Sequence, residues 1–128
     1  MDKPWLKTYP KDVPPEIDSN QYGTLTEIFD YCFSRYQDSV AFANMGVELS
    51  YSEVDILSKK LAVYLQKHPS LNTGDRVAVI SENCIEYLEL EMAAANIGIV
   101  VAAINWMLTD NQIKNCINFK HHLYEIYD

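Results

Sequence analysis

The chain has 128 residues, of which 48% are apolar and 22% are charged, proportions that are typical of a globular protein of one domain. Its 10 lysines and arginines against 18 aspartates and glutamates give a formal charge of −8. This balance argues against a nucleic-acid-binding protein, because phosphate recognition needs clustered basic side chains. The longest apolar stretch, residues 97–104, is far shorter than the about 20 residues of a membrane-spanning helix. With no apolar secretory signal at the N-terminus, the sequence predicts a cytoplasmic chain without a transmembrane segment.

Residues 1–23 hold four of the five prolines and show neither helical nor strand periodicity. Proline fixes φ and lacks a backbone donor, so this segment is predicted to be an extended, proline-rich arm. Trp5, Leu6 and Tyr9 make it too apolar for a free tail. We therefore expect the arm to pack along the chain's own surface or along a partner.

A first helix is predicted to begin after Thr24, whose hydroxyl would cap the backbone while Glu27 reaches back to complete a capping box. The apolar residues that follow recur at helical spacing: Leu25, Ile28, Phe29, Cys32, Phe33 and Tyr36. The aromatic members of this stripe, Phe29, Phe33 and Tyr36, are expected in the core.

A hairpin and a second helix follow. Two short strands are predicted at residues 40–43 and 47–50, with a turn at residues 44–46. Ser50 and Glu53 form a second capping box and open a helix that His68-Pro69 ends. The apolar stripe of this helix is Val54, Leu57, Leu61 and Leu65.

The pattern of residues 76–104 is strand, helix, strand. Apolar strands are predicted at residues 76–80 and 99–104, and between them Asn83 caps a helix that Gly98 ends in the left-handed conformation. Two strands that are apolar on both faces and joined by a helix are typical of a parallel βαβ unit.

A fourth helix, capped by Thr109, is predicted to reach about Phe119. Two parallel strands alone cannot cover their faces and edges, so further strands and helices must flank them. The predicted fold class is therefore α/β, an incomplete parallel-sheet layer with flanking helices and a small β-hairpin.

Established catalytic motifs are missing from the sequence. The four glycines, at positions 23, 46, 74 and 98, form neither a phosphate-binding loop nor a dinucleotide fingerprint, and no nucleophile elbow or zinc-protease motif occurs. The sequence accordingly predicts no catalytic, cofactor-binding or metal-binding residue.

Cysteines and histidines offer two weaker candidates. Cys84 would lie at the first turn of a helix, where a thiol pKa is lowered, but Glu82 and Glu86 oppose that effect and favour an inert cysteine. With Cys32 and Cys116 it is predicted to be a free, reduced thiol. His121-His122, with Glu125 or Asp128, could bind a metal, although adjacent histidines point apart and a solvated tail is favoured.

Two carboxylate pairs, Glu86/Glu89 and Glu89/Asp110, could be read as acid–base groups. Such pairs need opposed positions across a cleft, so a solvated helix face is the favoured interpretation.

Several segments, in order, resemble one family. Residues 49–54 (Leu-Ser-Tyr-Ser-Glu-Val), 71–78, 83–87, 98–105 and 108–109 are similar to the start of the acyl-adenylate-forming enzymes, the AMP-dependent synthetase/ligase superfamily. Residues 3–10 and 13–17 resemble the arm of its long-chain fatty-acid–CoA ligase branch. The chain departs from the family at residues 96–98, usually Arg-Ala-Gly, near Ile104, where a proline is common, and at residues 112–113, usually Glu-Leu.

This resemblance divides the chain into the arm (1–23), a partial N-terminal α/β domain (24–119) and a divergent tail (120–128). It implies ATP-dependent activation of a fatty acid to an acyl-adenylate and then to acyl-CoA, with Mg²⁺, coenzyme A, a fatty-acid tunnel and a peripheral membrane habit. The family's phosphate loop, adenine-binding segments and catalytic lysine lie further along a much longer chain, so no site residue carries over.

The expected function is therefore the N-terminal scaffold portion of a long-chain fatty-acid–CoA ligase, inactive alone. One alternative is a non-catalytic module that pairs with a full-length ligase, or with a second copy, through Trp5, Leu6 and Tyr9. Another is a truncated gene remnant, which the unusual residues 120–128 favour.

Overall fold

The computed structural model describes residues 3–119 and 123–125. The helices are α1 (Leu25–Arg35), α2 (Tyr51–Gln66), α3 (Ile85–Ile97) and α4 (Asp110–Phe119). The strands are β1 (Val40–Asn44), β2 (Val47–Ser50), β3 (Arg76–Ser81), β4 (Val100–Asn105) and β5 (Leu123–Glu125). These elements confirm the α/β class, with a parallel layer, flanking helices and a small hairpin. Within the described ranges no helix is both long and apolar enough to cross a bilayer.

The sequence predicted an extended arm, but the arm is not extended along its whole length. Pro4–Thr8 forms a 3-10 helix, because Pro4 fixes φ at its start and the Thr8 hydroxyl donates to the Trp5 carbonyl at 2.7 Å. An ion pair of 3.0 Å joins Lys3, near the start of the arm, to Glu16 in its second half. Trp5 and Tyr9 remain exposed on the described surface, whereas Leu6 is half-buried.

The first helix begins as predicted, with a shifted capping pattern. The Thr24 hydroxyl accepts from the Glu27 backbone N–H at 3.2 Å, but the Glu27 carboxylate accepts from the Gly23 N–H at 2.7 Å. Phe33 is buried and lies 6.2 Å from Phe29 between ring centroids. The expectation that Tyr36 is a core residue is wrong. It lies at the C-terminal cap, where it is exposed and its ring lies 5.7 Å from that of Tyr51 in a tilted arrangement.

The hairpin has a two-residue turn, one residue shorter than the turn that the sequence predicted. β1 and β2 pair antiparallel from Asn44 opposite Val47, so the turn consists of Met45 and Gly46. Both have positive φ, 49° and 85°, which is the two-residue geometry that matches the twist of a hairpin.

Helix α2 carries the predicted capping box in full. The Ser50 hydroxyl accepts from the Glu53 N–H at 3.3 Å, and the Glu53 carboxylate accepts from the Ser50 N–H at 2.8 Å. The buried stripe is rotated from the predicted one, because small side chains let the helix approach its neighbours closely. It consists of Val54, Ser58, Ala62 and Leu65, while Leu57 and Leu61 are only half-buried.

The predicted βαβ unit is confirmed. β3 and β4 pair in parallel from Arg76 opposite Val100 to Ser81 opposite Asn105, and α3 connects them. Gly98 ends α3 in the left-handed conformation, with φ of 73°. The predicted Asn83 cap is wrong, since the N-cap residue is Cys84, whose side chain makes no capping hydrogen bond.

The parallel sheet has a third strand that the sequence did not indicate. Its order is β4-β3-β5, and β5 pairs in parallel with β3 inside the segment predicted to be a divergent tail. The main core cluster joins α2, α3 and β3: Ala62, Leu65, Val77, Ala93, Ala94 and Ile99. Ala78, Ala102 and Ile104, on the opposite sheet face from Val77, are also buried. The face of Val77 is therefore covered by α2 and α3, whereas the opposite face is only partly covered, since Ile80 and Val100 on it are 47% and 49% exposed.

Candidate functional site

The most promising surface lies at the carboxyl edge of the parallel sheet. Because β3 and β4 run in register, their last residues, Ser81 and Asn105, lie side by side and the loops that follow meet there. In open α/β sheets this edge is where ligands usually bind. A cavity of about 350 Å³ occupies it, here called the carboxyl-edge groove. It is lined by Val79, Ser81, Glu82, Asn83, Tyr87, Ala103, Ile104, Asn105 and Trp106.

The polar groups of the carboxyl-edge groove mainly hold their own turns. The Ser81 hydroxyl donates to the Glu82 carbonyl at 2.9 Å, and Asn105 Oδ1 accepts from the Met107 N–H at 2.9 Å. The half-exposed indole of Trp106 supplies an apolar wall. Trp106 was not predicted as a site residue, although its position directly after an apolar strand indicates that it lies at the carboxyl edge of the sheet. The groove is suited to contact and recognition.

Tyr87 is held as a neutral donor on the wall of the groove. Its hydroxyl donates to Glu91 Oε1 at 2.7 Å. This hydrogen bond, then burial and the negative charge of Glu91, raise the pKa of Tyr87 to about 12. The phenol therefore stays protonated at neutral pH and does not act as a base.

Cys84 lies beside the groove, on the wall of a second cavity of about 330 Å³ between β1 and the start of α3. Its Sγ is 3.5 Å from Ser81 Oγ, and the thiol is half-buried. Asn44 Nδ2 donates across the same cavity to the Asn83 carbonyl at 3.4 Å. Cys32, Cys84 and Cys116 are all free, as predicted. The inertness of Cys84 stays a prediction.

The acidic and metal candidates do not meet at this edge. The groove lining includes Glu82 but not Glu86, Glu89 or Asp110. Burial, and then the charge of Glu86, raise the pKa of Glu89, as for two like charges on one helix. Across residues 3–119 and 123–125, histidine, cysteine and acidic side chains form no group of three that could hold a metal.

The structure does not describe three of the candidate metal ligands that were predicted from the sequence. His121, His122 and Asp128 lie outside the described residues, and Glu125 is described only as backbone in β5. Their metal-binding hypothesis stays a prediction.

Comparison with known proteins identifies the family. Residues 29–120 match the family model described as "AMP-binding enzyme". The chain is 35% identical over 118 residues to the long-chain-fatty-acid–CoA ligase of Salmonella typhimurium, an alignment that covers 92% of this chain and 21% of that protein. It is 36% identical over 115 residues to the ligase of the same name from Yersinia pestis, covering 90% of this chain and 20% of that protein.

A solved structure gives the same result. The N-terminal subdomain of NpsA from Klebsiella oxytoca superposes with a TM-score of 0.76 at 28% identity, over 82% of this chain and 27% of that one. The chain spans about a fifth of the length of the two ligases. Because the family match covers most of its residues, the chain belongs to the AMP-binding enzymes, the AMP-dependent synthetase/ligase superfamily.

Proposed function

We propose that this chain is the N-terminal scaffold portion of a long-chain fatty-acid–CoA ligase, which activates a fatty acid with ATP and transfers it to coenzyme A. The observation that carries this proposal is the alignment with the Salmonella ligase, which runs through 92% of the chain at 35% identity. The superposition on the NpsA N-terminal subdomain supports the assignment of the chain to the N-terminal portion.

The role proposed for these residues is structural. β3, α3 and β4 form a parallel layer, and α2 packs with α3 over one face of it. The carboxyl-edge groove would meet the remainder of a ligase, in a structural role that fits Ser81 and Asn105, whose side chains hold their own turns.

The residues present do not fit ATP or Mg²⁺. The sequence has no phosphate-binding glycine loop, and the acidic side chains of the described ranges do not cluster as ligands. We therefore propose that other parts of a ligase hold ATP, Mg²⁺ and coenzyme A. The 128-residue chain alone would then be inactive, since it lacks the groups that stabilise charge in phosphoryl chemistry.

We place this scaffold in the cytoplasm and at the periphery of a membrane. The family resemblance supports this location. The similarity to ligases whose names specify long-chain fatty acids supports it too, because such molecules partition into membranes.

A chimeric ligase tests the scaffold role. The corresponding segment of the Salmonella ligase is replaced by residues 3–119 of this chain, and acyl-CoA formation is measured with ATP, Mg²⁺, coenzyme A and palmitate. We expect the chimera to be active and the chain alone to give no product. A matched control chimera carries Leu65→Asp, which places a charge in the core and should abolish activity. A folded but inactive parent chimera would refute the scaffold role, and turnover by the chain alone would refute its inactivity.

A second candidate function is a non-catalytic module that pairs with a full-length ligase or with a second copy. The exposure of Trp5 and Tyr9 on the arm favours it, since large aromatic side chains commonly anchor interfaces. Size-exclusion chromatography of the chain alone and mixed with the Salmonella ligase tests this. A complex that Trp5→Ser/Tyr9→Ser dissolves would support the module, and elution as separate monomers would refute it.

A further inference from the structure

The outer face of α2 is a largely exposed helix surface, of which only the margin with Ile56 and Lys59 lines a groove shared with α1. It consists of Ile56, Lys59, Lys60, Val63, Tyr64 and Lys67. With 3.6 residues per turn, these positions lie on the side opposite Val54 and Leu65, which are buried in the core. Helix α2 is therefore amphipathic in an unusual way, with a buried apolar face and a second face that mixes apolar and basic residues.

The apolar members of this face are large and exposed. Ile56 is 52% exposed, Val63 50% and Tyr64 63%. They recur over two turns with Lys59 and Lys60 between Ile56 and Val63, so together with these lysines they form one mixed apolar and basic stripe. From Ile56 to Lys67 the stripe extends over roughly 16 Å of helix.

The charge of the face is opposite to that of the whole chain. Three of the ten basic residues, Lys59, Lys60 and Lys67, lie on it, although the chain carries a formal charge of −8. Asp55 neutralises Lys59 at 2.6 Å. The Glu53 carboxylate, at the edge of the face, accepts hydrogen bonds from Ser50.

Lys60 and Lys67 form no ion pair within 4.0 Å with any side chain that the structure describes. The face therefore presents two uncompensated cations beside exposed apolar groups. Charges further than about 8 Å are largely screened at physiological salt, so this local balance decides the interaction more than the net charge does.

We propose that the outer face of α2 binds the surface of an anionic membrane. This deepens the proposed membrane-peripheral location by assigning it to a surface. Apolar side chains would enter the boundary between headgroups and acyl chains, and lysines would contact anionic headgroups with their aliphatic stems along the interface. A tyrosine suits the same depth, because it has an apolar ring and a polar tip.

The shape of the face favours a bilayer over an acidic protein segment. A protein partner usually holds such a helix in a complementary groove, whereas a bilayer accepts the convex side of any helix that lies along it. The test must also distinguish binding to an acidic protein from binding to a bilayer.

Vesicle co-sedimentation of the whole 128-residue chain tests the proposal. Vesicles of phosphatidylcholine with phosphatidylglycerol are compared with vesicles of phosphatidylcholine alone, at low and high salt. We expect binding to the anionic vesicles only, reduced by salt. Lys60→Glu/Lys67→Glu should lower the partition coefficient by about tenfold or more, because each lysine near an anionic surface strengthens binding several-fold. Lys7→Glu/Lys11→Glu, the same charge change on the exposed arm, is the matched control and should change binding by less than about twofold.

Two further variants keep the test decisive. Lys60→Gln/Lys67→Gln removes the charges without adding acids, and Ile56→Ser/Val63→Ser removes the apolar contacts. Each should weaken binding while leaving the urea midpoint close to that of the parent chain, since both sites are exposed.

Two results would overturn the proposal: no binding to the anionic vesicles, or equal loss in the arm control. Binding of the outer face to the Salmonella ligase, with vesicles unbound, would assign the face to a protein instead. The chimera assay needs no vesicles, so the proposed ligase function and this inference can fail separately.

Discussion

The arm and the α2–α3–β3 core both contain many large apolar residues, but only the core buries them. In the arm Ile17 is 93% exposed, whereas in the core Leu65 and Val77 are each 1% exposed. The core residues recur at the period of the helix or strand that carries them, and the arm residues do not. The comparison shows that periodicity, more than apolar content, decides which segments of this chain form a hydrophobic core.

Among the substitutions that test this difference, Leu65→Ala in the core should have the largest effect on the free energy of unfolding. Leu65 is 1% exposed on the buried side of α2, so its removal leaves a cavity and should lower the free energy of unfolding by about 2–5 kcal/mol. Ile17→Ala, the matched truncation in the arm, should change it by less than about 0.5 kcal/mol. Urea denaturation followed by far-UV circular dichroism measures both. Equal effects would mean that the arm packs as firmly as the core.

A second test compares two glycines, both of which have a positive φ. Gly98 joins α3 to β4 at an exposed position with φ of 73°, and an added Cβ there would lie 2.8 Å from Thr73 Cγ2. Gly46, at the hairpin tip, has φ of 85° and open space around it. Gly46→Ala should cost about 1–2 kcal/mol for the left-handed conformation alone. Gly98→Ala should cost more, because it adds the clash.

Thr73→Ser separates the two contributions, since it removes Cγ2 but keeps the hydroxyl that donates to the Ile97 carbonyl at 3.1 Å. Combined with Gly98→Ala, it should restore the cost to that of Gly46→Ala, as measured by urea midpoints. No rescue would show that the clash with Thr73 is not the cause.

Local rules made most of this fold predictable. The Ser50/Glu53 capping box, the glycine at the end of α3 and the two-residue turn each follow from chemistry within a few residues. Strands β3 and β4 were recognisable because both of their faces are apolar in sequence, which is typical of parallel strands, although Ile80 and Val100 remain about half exposed in this chain.

The errors of the sequence analysis occur where distant contacts or fine geometry decide. Asn83 is a good capping residue, yet α3 begins one residue later, after Cys84. β5 has no periodic pattern, and its position depends on pairing with β3. The carboxyl-edge groove was also unpredictable in detail, since it exists only because the register of β3 and β4 brings Asn83 and Trp106 to one edge.

The two helix starts provide a third comparison, with a smaller effect. At α2 both halves of the capping box are formed by Ser50 and Glu53, whereas at α1 Glu27 bonds to Gly23 instead of to the capping residue. Ser50→Ala should lower the free energy of unfolding by about 1 kcal/mol, and Thr24→Ala by the same or less. Denaturation in urea distinguishes them. A larger loss for Thr24→Ala would mean that α1, not α2, depends more on its cap.

The smallest expected effect concerns two carboxylates with opposite pH behaviour. Hydrogen bonds from the Ser50 backbone, and then from its hydroxyl, lower the pKa of Glu53 below the ordinary 4.5. Glu53 therefore stabilises the fold above that pH, and this contribution is lost as the pH falls through its lowered pKa. Burial, then Glu86, raise the pKa of Glu89, so its charge opposes folding increasingly as the pH rises from 4.5 through the raised value.

Substitution by glutamine at each position isolates these two contributions. Glu53→Gln should be less stable than the parent chain at neutral pH and equal to it in strong acid. Glu89→Gln should be slightly more stable at neutral pH and likewise equal in acid. Urea midpoints from about pH 3 to pH 7 measure both curves. Because donors face Glu53, whereas burial and a like charge act on Glu89, parallel curves would show that the hydrogen bonds at the α2 cap do not hold in solution.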